Sequence, residues 1–144
     1  MDLSRRQTLT VLIGDDDVSV RHSVVEVLAD RRELQFITVE SGADALSRLL
    51  YESIDFSILD VEMPGLSGIE VLQRYLQRPW IASTGGTPAR QGPPRAMPTI
   101  FMSGSRDREI RRTCEHLGRS FLGKPFQAQD LRRAVDQILR ELTT

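Results

Sequence analysis

The chain has 144 residues, 40% of them hydrophobic, and a formal net charge of −1 at pH 7. That length can bury the core of one domain, while the balanced charge gives no electrostatic footprint for nucleic acid and no stretch approaches the roughly 18 apolar residues of a membrane span. The single cysteine, Cys114, excludes an internal disulfide and, with two histidines in the chain, leaves zinc without a ligand set.

The opening MDLSRRQ carries two arginines, followed by only six residues of strand-like apolar character, too few for a secretory h-region. A reducing, cytoplasmic location is expected. The first strand is predicted over 9–14 (LTVLIG) and runs into three consecutive acids, Asp15, Asp16 and Asp17, the last placed to cap a helix starting near Val18. Val20, Val24 and Leu28 then recur at helical spacing before a second strand over 34–39 (LQFITV). Ser41 with Asp44 has capping-box spacing and precedes a helix built on Ala45, Leu46, Leu49 and Leu50. A third strand over 55–60 (DFSILD) ends in Asp60, and Ser67 with Glu70 opens a helix carrying Ile69, Leu72 and Leu76.

The alternation is interrupted from Pro79 to Pro98, PWIASTGGTPARQGPPRAMP, which holds five of the seven prolines and three of the ten glycines. Helix-to-strand connections are usually about two to six residues, so a long loop is predicted over 79–97. It is taken as a solvated insertion, with Arg90 and Arg95 offering weak contact for an anion and Trp80 and Ile81 tucked against the preceding helix. A fourth strand follows over 98–102 (PTIFM), ending in Ser103 and Gly104. Ile110, Cys114 and Leu117 keep helical step and face inward, the run from Arg106 to Arg112 is a solvated helix face, and His22 and His116 are surface positions. A fifth strand over 119–122 ends in Gly123-Lys124-Pro125-Phe126, and a final helix shows one stripe of Leu131, Ala134, Val135, Ile138, Leu139 and Leu142. Five strand–helix units in strict alternation argue an α/β domain with a parallel sheet covered by helices on both faces, spanning 1–144.

In open parallel sheets, ligands sit at the carboxyl ends of strands where the strand order reverses. Were the order 2-1-3-4-5, Asp15, Asp16 and Asp60 would meet in one crevice. Clustered carboxylates are held together by a hard divalent cation, and magnesium suits a few carboxylates, waters and a phosphate. Lys124 is the only lysine among nineteen basic residues, a compact charge suited to one phosphate oxygen and unlike the forked arginine. A carboxylate nucleophile, a cation, a hydroxyl and an ammonium are the parts of phosphoryl transfer onto an aspartate, with Asp60 the centrally placed nucleophile.

The acid pair after the first strand, LDVEMPGLSG from Leu59, IFMSG from Ile100 and FLGKPF from Phe121 together resemble the receiver domain of bacterial two-component response regulators, over nearly the whole chain outside 79–97. The resemblance implies a doubly wound (βα)5 fold in the order 2-1-3-4-5 and a signalling phosphoacceptor, with no enzymatic role beyond its own phosphotransfer and slow dephosphorylation. Asp60 resembles the phosphoacceptor, and Asp15 and Asp16 the Mg2+-binding acids. Glu62 resembles the residue lending a backbone carbonyl to the metal, Ser103 and Phe121 the switch pair, and Lys124 the phosphate-pairing lysine, with the Lys124-Pro125 bond cis. A sensor histidine kinase or phosphotransfer protein is the implied donor. The surface of the fourth helix, fifth strand and fifth helix is the implied contact for an output partner or a second copy, without direct nucleic-acid or membrane binding.

Gly14 departs from the branched apolar residue usual there and is expected to loosen the first strand or to let the acid-bearing loop shift, Ser103 replaces the commoner threonine and Phe121 replaces tyrosine. Taken singly, the features have plainer explanations: the acid triple suits a charged loop, Asp60 a turn before Pro64-Gly65, and Ser103 and Lys124 the surface. Their conjunction outweighs these. Two rivals stand beside it, a pseudo-receiver that binds partners without phosphorylation and a haloacid-dehalogenase-like phosphatase using Asp15. With two residues after the last helix, the chain is either a free-standing receiver or part of a larger regulator.

Overall fold

The computed structural model describes residues 8–78 and 96–143. Most of the 79–97 loop, with Trp80, Ile81, Arg90 and Arg95, lies outside the described residues. Five strands and five helices alternate: β1 (Leu9–Gly14), α1 (Val18–Leu28), β2 (Leu34–Val39), α2 (Gly42–Tyr51), β3 (Phe56–Asp60), α3 (Gly68–Gln77), β4 (Thr99–Ser103), α4 (Arg108–Leu117), β5 (Ser120–Gly123) and α5 (Ala128–Leu142). β1 and β2 have the predicted bounds. β3 starts one residue later, and β4 and β5 are displaced one residue toward the C-terminus, so that Ser103 is the last residue of its strand. All pairings are parallel, in the order β2-β1-β3-β4-β5, an α/β doubly wound sheet.

Side chains on a strand alternate between faces, and the sheet separates two cores accordingly. Val11 and Ile13, Phe56 and Ile58, Ile100 and Met102, and Leu122 pack with Val24 and Leu28 of α1 and with Leu131, Val135 and Ile138 of α5. Leu12, Leu59 and Phe101 pack with Ala45 and Leu49 of α2, Val71, Leu72 and Tyr75 of α3, and Cys114 of α4. Met97, assigned by composition to the loop, is buried in this second core. Arg31 ties the chain after α1 to α5 by donating Nε and Nη2 to Asp136 Oδ1 at 3.0 and 2.8 Å.

Helix starts follow their caps. Asp17 Oδ1 accepts from Ser19 N–H at 2.8 Å, Ser41 Oγ from Asp44 N–H at 3.2 Å, and Ser67 with Glu70 forms a complete reciprocal capping box. Cys114 is buried and His22 and His116 are exposed, as expected. Gly14 does not loosen β1: it stays paired with Val39 and Leu59, and a Cβ there would meet Leu59 Cδ2 at 3.1 Å and Met63 Sδ at 3.3 Å. Neighbouring side chains already fill the space a branched residue would use.

Two helix N-termini approach backbone so closely that only glycine fits. A Cβ on Gly42 would overlap the carbonyl oxygen of Leu66, and one on Gly68 the carbonyl oxygen of Asp60. Gly42→Ala is expected to lower unfolding free energy by about 3 kcal/mol, the upper part of the overpacking range, because backbone and not a flexible side chain must yield. A shift of the urea midpoint with unchanged slope measures it. Among the described residues, no helix is long and apolar enough to cross a membrane.

Candidate functional site

Strand alternation and strand ends place the reactive groups. Asp60 continues the parity of Phe56 and Ile58, and Asp15 that of Val11 and Ile13, one residue beyond β1. Asp15 N–H donates to Val39 O at 3.1 Å and Lys124 N–H to Ser103 O at 2.7 Å, so both strands extend by one residue into the site. The carboxylates of Asp15, Asp16 and Asp60 converge, each offering an oxygen within 4.8 Å of the others. Asp15 and Asp60 are buried, at 0% and 2% exposure, whereas Asp16 is open to solvent.

Lys124 spans the buried pair, with Nζ 2.7 Å from Asp15 Oδ2 and 3.3 Å from Asp60 Oδ2. Asp15 Oδ1 accepts from Asp17 N–H at 2.9 Å, and Asp60 Oδ1 from Glu62 N–H at 3.2 Å. One ammonium cannot neutralise two buried carboxylates. The Asp60 carboxyl is accordingly pushed up from 3.8 to about 6, first by burial and then by the charge of Asp15, against the pull of Lys124 and the Glu62 N–H. The Lys124 ammonium is held above its usual range: burial pulls it down, but its hydrogen bond to Asp15 and the charges of both carboxylates outweigh that. A set of hard oxygens with surplus negative charge and one solvent-facing member fits a small divalent cation.

The raised Asp60 carboxyl has a consequence for stability. Between about pH 4 and about pH 6 the folded protein binds a proton that the unfolded chain has released, so stability of the metal-free protein falls as pH rises through that window, then levels. The loss amounts to on the order of 3 kcal/mol for a shift of about two units. Denaturation of the chelator-treated protein at about pH 4 and about pH 7 measures it, and subtracting the same difference for Asp60→Asn isolates this carboxyl from the others.

Ser103 and Phe121 share the opposite strand parity and belong with the second core. Ser103 is fully buried, while its Oγ reaches Glu62 at the rim. Phe121 is half-buried, packs against the second core and has the Arg111 guanidinium 5.6 Å from its ring centre. Both line a cavity of about 440 Å3 together with Gly104, Arg111 and Lys124. The Lys124-Pro125 peptide is cis, and Gly65, in the turn after Met63-Pro64, takes the left-handed φ of 78° that glycine tolerates.

Asp15, Asp16, Asp60, Glu62, Ser103 and Lys124 therefore lie at one end of the sheet, with Phe121 two residues before the end of β5. Two contacts were not foreseen. Arg21, one helical turn beyond Asp17, donates Nη1 to the backbone carbonyl of Asp15 at 2.7 Å and so anchors the acid-bearing loop. The Glu62 side chain, noted only for its backbone, accepts from Ser103 Oγ. Its position two residues past a strand-end acid was the available signal.

A sequence profile of the response regulator receiver domain matches residues 11–136. A response regulatory protein of Vibrio cholerae serotype O1, itself uncharacterized, is 25% identical over 134 residues, covering 92% of this chain and 49% of that protein. A protein-glutamate methylesterase/protein-glutamine glutaminase of Geobacillus kaustophilus is 35% identical over 72 residues, 49% of this chain and 21% of that protein. This chain thus spans about half or less of the length of these curated relatives. In fold, it superposes on the crystal structure of a receiver domain protein from Methanospirillum hungatei with a TM-score of 0.73 at 19% identity, over 94% of this chain and 96% of that one. With the profile match covering most of its length and the five-stranded order agreeing, the chain belongs to the response regulator receiver domain family of two-component signalling.

Proposed function

We propose that this receiver is a phosphoacceptor: Asp60 takes a phosphoryl group, in a Mg2+-dependent reaction, from a histidine kinase or phosphotransfer protein in the cytoplasm. The supporting observation is the convergence of three carboxylates, each offering an oxygen within 4.8 Å of the others, two of them held by a single ammonium. Asp15, Asp16, Asp60 and the Glu62 backbone carbonyl are the ligand set for the metal. Magnesium, when bound, supplies charge neutralisation for the acids and the transferring group. The proposal takes 1–144 as one domain, with an inserted segment at 79–97 between α3 and β4.

In the transfer, an Asp60 carboxylate oxygen forms a bond to phosphorus as the bond from phosphorus to the donor histidine nitrogen breaks; that nitrogen keeps the electron pair and takes up a proton. Lys124, already within 3.3 Å of Asp60, pairs with a phosphoryl oxygen. Ser103 donates its hydroxyl to another. Its movement frees space beside the cavity of about 440 Å3 that Phe121 lines, and inward rotation of the ring changes the surface of α4, β5 and α5. That surface meets an output partner or a second copy, without itself binding nucleic acid.

The phosphatase alternative, with Asp15 as nucleophile, is disfavoured by the match of residues 11–136 to the receiver-domain profile. Intact-mass spectrometry after incubation with acetyl phosphate is expected to show one added phosphoryl group with Mg2+ and none with chelator. Absence of the adduct with small-molecule donors and with histidine kinases alike would leave the phosphorylation-independent module in its place.

A further inference from the structure

Ser103 is not idle in the unphosphorylated protein. Its hydroxyl accepts from Ser105 N–H at 3.0 Å and donates to the Glu62 carboxylate, 2.7 Å from Oε2 and 3.0 Å from Oε1. The next residue, Gly104, donates its N–H to Glu62 Oε1 at 3.3 Å. One anionic group thus holds two donors at the end of β4. Glu62 is otherwise exposed, and its own N–H is fixed on Asp60 Oδ1, so its backbone is positioned independently of what its side chain does.

A serine hydroxyl carries one proton and donates to one acceptor at a time. If Ser103 is to donate to a phosphoryl oxygen on Asp60, it must first leave the Glu62 carboxylate. We infer that the Glu62 side chain is an internal competitor for the phosphoryl group: a resident anion occupying the hydroxyl and N–H donors at the end of β4, which sets how strongly the receiver holds the phosphorylated state. It acts through Ser103 and is a positioning residue. The inference rests on Asp60 being the phosphoacceptor. Apparent affinity for a phosphoryl mimic is the intrinsic affinity reduced by the fraction of molecules in which Ser103 is free, so loss of the competitor tightens binding.

The probe is beryllofluoride with saturating Mg2+, and the readout is its dissociation constant on the folded protein, with amide spectra checking that each variant keeps the fold. Glu62→Ala is expected to bind about tenfold more tightly than the parent, the order set by one charge-assisted hydrogen bond near the surface. Glu62→Asp keeps the charge but is one methylene shorter, and is expected to follow Glu62→Ala. In a Ser103→Ala background, Glu62→Ala is expected to keep only the small part of its effect that comes from releasing the Gly104 N–H, as a double-mutant cycle requires when the larger part passes through Ser103. Equal or weaker binding by Glu62→Ala overturns the inference, as does a Glu62→Asp variant matching the parent, which would leave only long-range repulsion. If neither parent nor variant binds beryllofluoride, the phosphoacceptor assignment itself fails and carries this one with it. Binding by the parent with no change in the variants sinks the competitor alone.

Discussion

Asp60→Asn is expected to take up no phosphoryl group from acetyl phosphate and Mg2+, a fall of at least a hundredfold set by the detection floor of intact-mass measurement. The amide preserves the shape of the side chain and leaves one oxygen to accept the Glu62 N–H, but it has no carboxylate oxygen to attack phosphorus. Loss of a modification is ambiguous when a variant unfolds. Here the opposite is expected: the carboxylate is nearly fully buried beside a second acid and pushed up to about 6, so its removal relieves the folded protein at neutral pH. A variant that melts higher and cannot be labelled assigns the acceptor to this side chain. One labelled as readily as its parent would move the reaction elsewhere.

Lys124→Met is the second large effect, expected to lower phosphoryl uptake about a hundredfold, the loss typical when one preorganised charge partner of a transferring group is deleted. Methionine retains much of the stem volume, so the change is mainly one of charge. Because Lys124 holds the Asp60 carboxyl down through both its charge and its hydrogen bond, the variant is also expected to shift the pH dependence of uptake upward: at a given pH a larger fraction of Asp60 stays protonated. Uptake measured across the range from about pH 5 to about pH 9 separates the two effects. The lost interaction lowers the plateau and the altered ionisation moves the midpoint. A plateau unchanged at high pH would reduce Lys124 to a structural partner of Asp15, to which it is the nearer at 2.7 Å.

Much of the fold was legible in local patterns. Apolar runs bounded β1 and β2 to the residue, and side-chain caps located the starts of α1, α2 and α3, because capping is decided within four residues of chain. The alternation called for a parallel sheet. It did not dictate the strand order, which came from resemblance and agrees with the pairings. Met97 precedes β4 in the connecting chain as expected, but its burial was not foreseen: Pro-rich surroundings describe the local chain, whereas burial with the second core depends on distant residues. The site shows the same division. Strand-end acids and Lys124 were visible because each closes its own strand. The hydrogen bonds of Glu62 to Ser103, 41 residues away, depend on the register of β3 against β4 and leave no periodicity to detect.

Strand parity puts Asp15 and Asp60 with the core under α1 and α5, while Ser103 and Phe121 belong with the core under α2, α3 and α4. The acids and the Ser103–Phe121 pair thus rest on different cores, one on each side of the sheet. Because α5 packs on the first core, a change around Leu131 reaches both the support of the acids and one wall of the surface proposed for output, whereas a change around Cys114 under α4 leaves the first core alone. Duplicated copies of such a receiver are therefore expected to diverge in recipient through α4 while inheriting the same clock, and to change both together through α5.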